Sequence, residues 1–323
     1  MSHMLRTIVL CFACFVAAPA AIAQSWPAKS VRVIIPYAPG GIADIATRLV
    51  GAKLTEIWGH QLIVDNRPGG NATIGMSAVA KAAADGYTLI VATSGDFVLM
   101  PHILKEIPYD VVRDFAPITP LTDSPTYLGA HENAPYKTMA DVIADAKTKP
   151  GLLGIATPGV GGIQQMQFEW VASVAGIRLQ HIPFKGGAPA AAAVAGGTVP
   201  LGLLSVASSL GHIKSGKVRI LAQMGAKRSR FVPDVPTMQE SGLAGIDGSN
   251  WTLMAAPRAT PQAIIDKINA DTARVLAMPD VIERFEASAS ITIPMTPGDL
   301  TKRLATESAI AKDIVQKTGI SSE

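Results

Sequence analysis

Cysteine is almost absent from the sequence. Its two cysteines, Cys11 and Cys14, both lie near the N-terminus, inside an apolar run from Ile8 to Ala18. Arg6 precedes that run and Ala21-Ile22-Ala23 follows it. A charged start, a short apolar stretch and a small-x-small end mark a secretory signal peptide over residues 1–23, with cleavage expected after Ala23 and a periplasmic location for the product. The run falls well short of the ~20 apolar residues that a membrane span needs. Removing the leader also removes Cys11-Phe12-Ala13-Cys14. The mature chain then has no disulfide, thiol nucleophile or thiolate metal site, and loss of Arg6 takes the formal charge from +3 to +2.

Charge and aromatics are sparse as well, at 16% and 5% of the chain. Lys and Arg scatter from Lys29 to Lys317, which excludes both a basic stripe and a base-stacking platform, so no nucleic-acid partner is expected. The chain contains no G-x-S-x-G, no H-E-x-x-H and no G-x-x-x-x-G-K-[ST]. His60, His102, His131, His181 and His212 are scattered, so no catalytic residue, metal or cofactor is indicated.

What the sequence does have is length and apolar periodicity. With 323 residues and 48% hydrophobic content it is expected to form two domains of α/β class with largely parallel sheets. Apolar, β-branched runs predict strands at 31–35, 62–65, 88–93, 153–157, 179–183, 199–204, 218–224 and 251–255. Helical periodicity places Ile45, Leu49, Ala52 and Trp58 on one face, and Ile163, Met166, Trp170, Val171 and Val174 on another. A short helix is expected over 188–194, and longer ones over 261–276 and 297–317. The Pro- and Asp-rich stretch 115–136 and the Gly- and Pro-rich stretch 225–248 are expected to be junctions. The first domain, 24–122 with 229–323, would then be interrupted by a second, 123–228.

One pattern recurs three times: a strand enters a Gly/Pro loop that opens a helix. The loops are Tyr37-Ala38-Pro39-Gly40-Gly41, Thr157-Pro158-Gly159-Val160-Gly161-Gly162 and Lys185-Gly186-Gly187-Ala188-Pro189. Helix N-termini carry unpaired N–H groups and partial positive charge, and glycine admits a ligand to the backbone, so a carboxylate or phosphate is the natural guest. Asp44 is either a first-turn carboxylate stabilising its own helix or an acceptor for ligand, and Lys185 is either a solvated lysine or a cation facing a ligand carboxylate. Ser94, Asp96 and Ser205 follow strands, where α/β sheets place ligand groups. Phe97 beside them is core or pocket wall.

A longer set of motifs resembles the Bug-type extracytoplasmic solute receptors of tripartite tricarboxylate transporters. It runs Asp65-Asn66-Arg67-Pro68-Gly69-Gly70-Asn71-Ala72-Thr73-Ile74-Gly75, then Asp85-Gly86-Tyr87-Thr88-Leu89, Pro108-Tyr109-Asp110, Asp114-Phe115-Ala116-Pro117-Ile118-Thr119 and Pro183-Phe184-Lys185-Gly186. The resemblance implies a two-lobed, type II-like periplasmic-binding fold, with two helix-flanked sheets and a ligand cleft between the lobes. It also implies that loops 37–44, 157–162 and 185–189 line that cleft and hold a di-, tri- or aromatic carboxylate through backbone N–H groups and water. A membrane permease would be the partner and the receptor a monomer without enzymatic activity; a sensor for a signalling receptor and, more remotely, a periplasmic enzyme are the alternatives. Arg67-Pro68-Gly69 is taken as a structural turn. Two departures stand out: Val199-Pro200 where the family has Val-Asp, and the bulky Phe97 and Met100, which would favour an aromatic carboxylate if they faced the cleft.

Overall fold

A computed structural model describes residues 26–320, so the leader and its two cysteines lie outside the described residues. The chain forms two sheets. β1 (Val31–Ile35), β2 (Leu62–Asn66) and β3 (Thr88–Thr93) run parallel in the first. They are joined by β4 (Phe115–Ser124), β10 (Asn250–Pro257) and β11 (Ile291–Thr292), giving the order β11-β4-β10-β3-β1-β2. The second sheet has the order β7-β6-β8-β5-β9, from β5 (Thr126–His131), β6 (Gly154–Thr157), β7 (Gln180–Pro183), β8 (Leu201–Ser205) and β9 (Val218–Gln223).

Both sheets are mixed rather than largely parallel. β10 is antiparallel to β3 and β4, and β5 is antiparallel to β8 and β9. These antiparallel strands are where the chain passes between lobes: β4 leads into β5 through Pro125, and β9 returns to β10 through residues 224–249. The stretch 115–136, expected as a junction, therefore carries two strands. Its prolines hid them, since proline removes a ladder hydrogen bond and is tolerated in sheets mainly at edges and bulges. Pro120 stands opposite Leu253 and Pro117 opposite Ala255, and the β4–β10 register shifts at both places.

Helices cover both faces of each sheet. In lobe 1, α1 (Ile42–Trp58) and α9 (Gln262–Leu276) pack Val50, Leu54, Ile265 and Ile268 against Val33, Val91 and Met254. The opposite face meets α2 (Thr73–Ala80), the short α3 (Ser94–Val98) and α4 (Met100–Ile103), and the terminal α11 (Pro297–Thr318). α10 (Pro279–Ala287) closes the edge beside α9. In lobe 2, α5 (Met139–Thr148) and α6 (Ile163–Ala175) cover one face, and α7 (Gly187–Ala195) with α8 (Val206–Lys214) the other.

One apolar cluster belongs to both lobes. Ile163 and Met166 of α6 pack with Val98, Met100 and Ile103 of lobe 1, all nearly water-free. Burying each such side chain is worth about 1.5–3 kcal/mol, so this seam holds the lobes in register beside the crossing strands. No helix among the described residues is long and apolar enough to cross a membrane.

Candidate functional site

The three glycine loops leave the carboxyl ends of β1, β6 and β7 and open α1, α6 and α7. Ser94 and Ser205 occupy the corresponding positions after β3 and at the end of β8. In α/β sheets this end of the strands collects ligands, because helix N-termini there present N–H groups to whatever lies above them.

The first loop is held open by a tether. Gly40 and Gly41 have nothing within 4 Å of where a Cβ would stand, and Ala38, Pro39 and both glycines are exposed. Asp44 lies beneath them, almost fully buried. It accepts the Gly40 N–H at 3.0 Å, the Arg48 Nε at 3.0 and 3.1 Å, and the Asn66 Nδ2 at 3.1 Å. Asn66 also donates to the Tyr37 carbonyl at 3.1 Å and accepts from Arg48. Burial alone would push the Asp44 pKa up; the hydrogen bonds from Arg48, Gly40 and Asn66 outweigh it and hold the group below its ordinary value. The carboxylate is thus engaged within lobe 1, as a first-turn helix stabiliser and loop anchor.

Asp96 is engaged in the same way. It accepts from the Tyr37 hydroxyl, from the Thr93 N–H at 3.0 Å and from Thr93 Oγ1 at 2.8 Å, forming a capping box on α3. Burial pushes its pKa up to about 6 despite those donors. Burial, then the neighbouring Asp96 charge, pushes the Tyr37 phenol well above its usual range, so Tyr37 remains a neutral donor. Phe97 is turned away from the loops: its ring packs edge-on against Phe115, centroids 5.6 Å apart, in the core of lobe 1. Met100 is buried too, with its sulfur against Gly161. Of the two bulky residues, Phe97 is thus packed in the lobe 1 core and Met100 reaches the second loop.

On lobe 2 the second and third loops are tied together. The Phe184 N–H donates to the Thr157 carbonyl at 2.9 Å and the Gly186 N–H to Pro158 at 2.8 Å. Thr157 is buried; its hydroxyl donates to the Gly159 carbonyl at 3.0 Å and lies 2.6 Å from His181 Nε2. Burial drops the His181 pKa to about 4, so the ring is neutral at pH 7 and serves as a hydrogen-bonding post. Gly161 has φ +75°, and its N–H is taken by the Gln165 side chain at 2.6 Å. Gly162 is the N-cap of α6, so the N–H groups of the first helical turn beyond it have no partner within the helix. Gly186, with φ 121°, caps α7, beside which Lys185, Ala188 and Pro189 are exposed.

Where the chain crosses between the lobes, and at the start of α3, polar side chains form a buried floor. Ser94 Oγ, Ser124 Oγ, Thr126 Oγ1, Asn250 Oδ1 and Thr252 Oγ1 are buried and have no partner within the protein. Register brings them near one another: Asn250 stands opposite Ser124, Thr252 opposite Thr93, and Thr126 opposite Ser205. Ser205 caps α8 and bonds Ser208 Oγ at 3.0 Å. Buried hydroxyls without partners are costly, so a floor of this kind suits a polar guest and its water. Gly95 of α3 comes up against the Ile163 nitrogen, where an added Cβ would stand 3.1 Å away; the two lobes meet there at the start of α6.

Residues 46–320 match the family described as Tripartite tricarboxylate transporter family receptor. The chain belongs to that family. Among this receptor's relatives, the protein BugT of Bordetella pertussis is 32% identical over 305 residues, covering 94% of this chain and 93% of its own. A structure titled as R. palustris Rpa4515 with adipate superposes with a TM-score of 0.86 at 29% identity, covering 92% of this chain and 99% of that one. MatC from Rhodopseudomonas palustris with bound malate gives a TM-score of 0.83 at 29% identity, with 90% and 100% covered. The two-lobed periplasmic-binding fold of these receptors agrees with the two sheets and double crossing described above.

Sequence reasoning located the receptor's loops but not their supports. Arg48 had a signal, being four residues after Asp44 on one helix. Asn66, Thr93, Gln165 and His181 had none strong enough to single them out, since what recruits them is contact across the fold.

Proposed function

We propose that this receptor captures a small aliphatic dicarboxylate between its lobes and delivers it to a membrane permease of the tripartite tricarboxylate transporter type. The observation that carries the proposal is the arrangement of helix N-termini after β1, β6 and β7 around a floor of unpartnered hydroxyls. The acidic side chains at this end, Asp44 and Asp96, are engaged within lobe 1, so they need not repel an anionic guest at contact distance. The relatives that hold adipate and malate support the dicarboxylate class. Phe97, packed in the core, supports no aromatic pocket.

In this proposal the residues around the ligand are Tyr37 to Gly41, Ser94, Gly159 to Ile163, Gly186 to Pro189 and Ser205. Lobes 24–122 with 229–323 and 123–228 turn about the two crossings. Closure is favoured because both lobes contribute donors, so the ligand binds the closed arrangement better than the open one. No covalent chemistry is involved, the mature protein begins after Ala23 in the periplasm, and it acts as a monomer.

A thermal-shift panel of aliphatic mono-, di- and tricarboxylates and benzoate-type acids tests the proposal. Dicarboxylates are expected to raise the melting temperature, through a stabilisation of about 2.7 kcal/mol at a hundredfold excess over Kd. A response to benzoates alone, or to none of the panel in ligand-free protein, would overturn it.

A further inference from the structure

Behind the α3–α6 contact lies a second cavity, of about 360 Å³. One wall is α6 of lobe 2, with Met166, Gln167 and Trp170; the other is α11 of lobe 1, with Arg303, Glu307 and Ile310. Asp247, Gly248 and Ser249, on the return crossing, also line it. Val98 and Ile163 close its inner end, and of the residues placed around the carboxylate only Ile163 borders both spaces.

Two buried acceptors here, on Gln167 and Asp123, lack donors, while the exposed Asp247 accepts the Ala226 N–H at 2.9 Å through one oxygen. Gln167 is fully buried: its Nε2 donates to the Ser249 carbonyl at 3.3 Å, and its Oε1 has no partner within the protein. Asp123, behind Ser249, accepts from Ser249 Oγ at 2.9 Å through one oxygen, while the other has no partner. Asp247 and Glu307 stand near enough for their charges to act on Asp123, with Arg303 as the opposing cation. Arg303 is already engaged. Its Nε donates to Glu307 at 2.7 Å and its guanidinium lies 4.1 Å over the Trp251 ring. The second Glu307 oxygen accepts the Trp251 indole N–H at 3.0 Å. The lining carries two carboxylates, Asp247 and Glu307, against one guanidinium, Arg303, so its charge is negative, and a buried amide oxygen without a donor is costly.

We propose that this cavity is a second ligand site, for a small organic ammonium with a short alkyl body. The ammonium faces Gln167 Oε1 and the Asp247 and Glu307 carboxylates, and the alkyl body lies against Met166, Ile310 and Trp170. An aromatic wall suits a cation. Among the described residues no three metal-binding side chains come together, so the fit is to a cation carrying its own N–H donors rather than to a bare metal ion. Because its walls come from different lobes, occupancy favours the lobe arrangement in which both are in place.

The probe is n-butylammonium chloride, added to the mature chain and followed by the indole N–H resonances of its four tryptophans, Trp26, Trp58, Trp170 and Trp251. Saturable shifts are expected at Trp170 and Trp251, with a roughly millimolar Kd, as befits so small a ligand. Trp58, at the end of α1, and Trp26, packed on it, should not move. Gln167→Leu and Asp247→Asn are each expected to weaken binding by roughly fivefold or more, and uncharged n-butanol to bind at least about tenfold more weakly. Asp247 is exposed, so its variant decides the matter even if Gln167→Leu fails to fold. Unsaturable or uniform shifts in all four indoles, equal binding of butanol, or wild-type titration of Asp247→Asn would each overturn the proposal.

Discussion

The Tyr37 hydroxyl, on the loop after β1, donates to the Asp96 carboxylate in the first turn of α3. This pair joins the loops that follow two neighbouring strands, and through Thr93 it fixes the cap of α3. Its setting also makes a statement about pH. Burial raises the Asp96 pKa from 3.8 to about 6. A carboxyl with a higher pKa folded than unfolded binds more protons in the native state between those values, so its contribution to stability falls as pH rises through that window. Wild type is expected to lose on the order of 2–3 kcal/mol from this group between about pH 4 and 6. Asp96→Asn should remove that slope. Urea unfolding of both proteins across the window checks it, and parallel stability curves would contradict it.

Gly41 and Gly161 are expected to respond differently to a side chain. Gly41 has φ −79° and open space at its Cβ position, so Gly41→Val should fold as wild type. The valine would stand where the loop meets its ligand, and dicarboxylate affinity should fall by more than about tenfold. Gly161 has φ +75°, and an added Cβ would lie 2.9 Å from Met100 Sδ. Gly161→Ala should therefore destabilise the protein by about 1–3 kcal/mol, visible in its melting temperature without any ligand. Equal stabilities of the two variants would count against this distinction.

Asp44→Ala tests the loop tether. It releases the Gly40 N–H and leaves Arg48 and Asn66 without their shared acceptor. Hydrogen bonds to a charged group are worth about 1.5–3 kcal/mol, so calorimetric titration should show affinity reduced roughly tenfold. Unchanged affinity in the folded variant would mean that the loop holds its shape without the carboxylate.

Lys185 is exposed beside the N-terminus of α7 and is expected to contribute little. Lys185→Ala should change dicarboxylate affinity by less than about threefold, because backbone donors supply the specific contacts. Complete loss of binding would move the anion's main contact from backbone to side chain.

The elements most legible in the sequence were those whose signals are local. β1 and β3 follow from short runs rich in β-branched residues and α6 from its apolar face; α1 was expected as a helix, but it buries Ala43, Ala46, Val50 and Leu54, and leaves the expected Ile45 and Ala52 exposed. β4 and β5 were hidden because Pro117, Pro120 and Pro125 read as breakers until the bulged partner strand β10 is known. The site divides in the same way. Gly/Pro loops before helical periodicity mark where a ligand would be met, whereas Asn66 reaches Asp44 from 22 residues away and His181 reaches Thr157 from 24 away. Phe97 shows the limit from the other side: a large apolar residue after a strand does not say which way its ring turns, and here packing against Phe115 decided it.

Amide hydrogen exchange, with and without saturating malate or adipate, reads the proposed donors directly. Slowed exchange is expected at residues 41–43, 163–164 and 187–188, at the starts of α1, α6 and α7, with α9 unaffected. Protection confined to other segments, or none at all under saturating ligand, would contradict capture of a dicarboxylate by these helix N-termini.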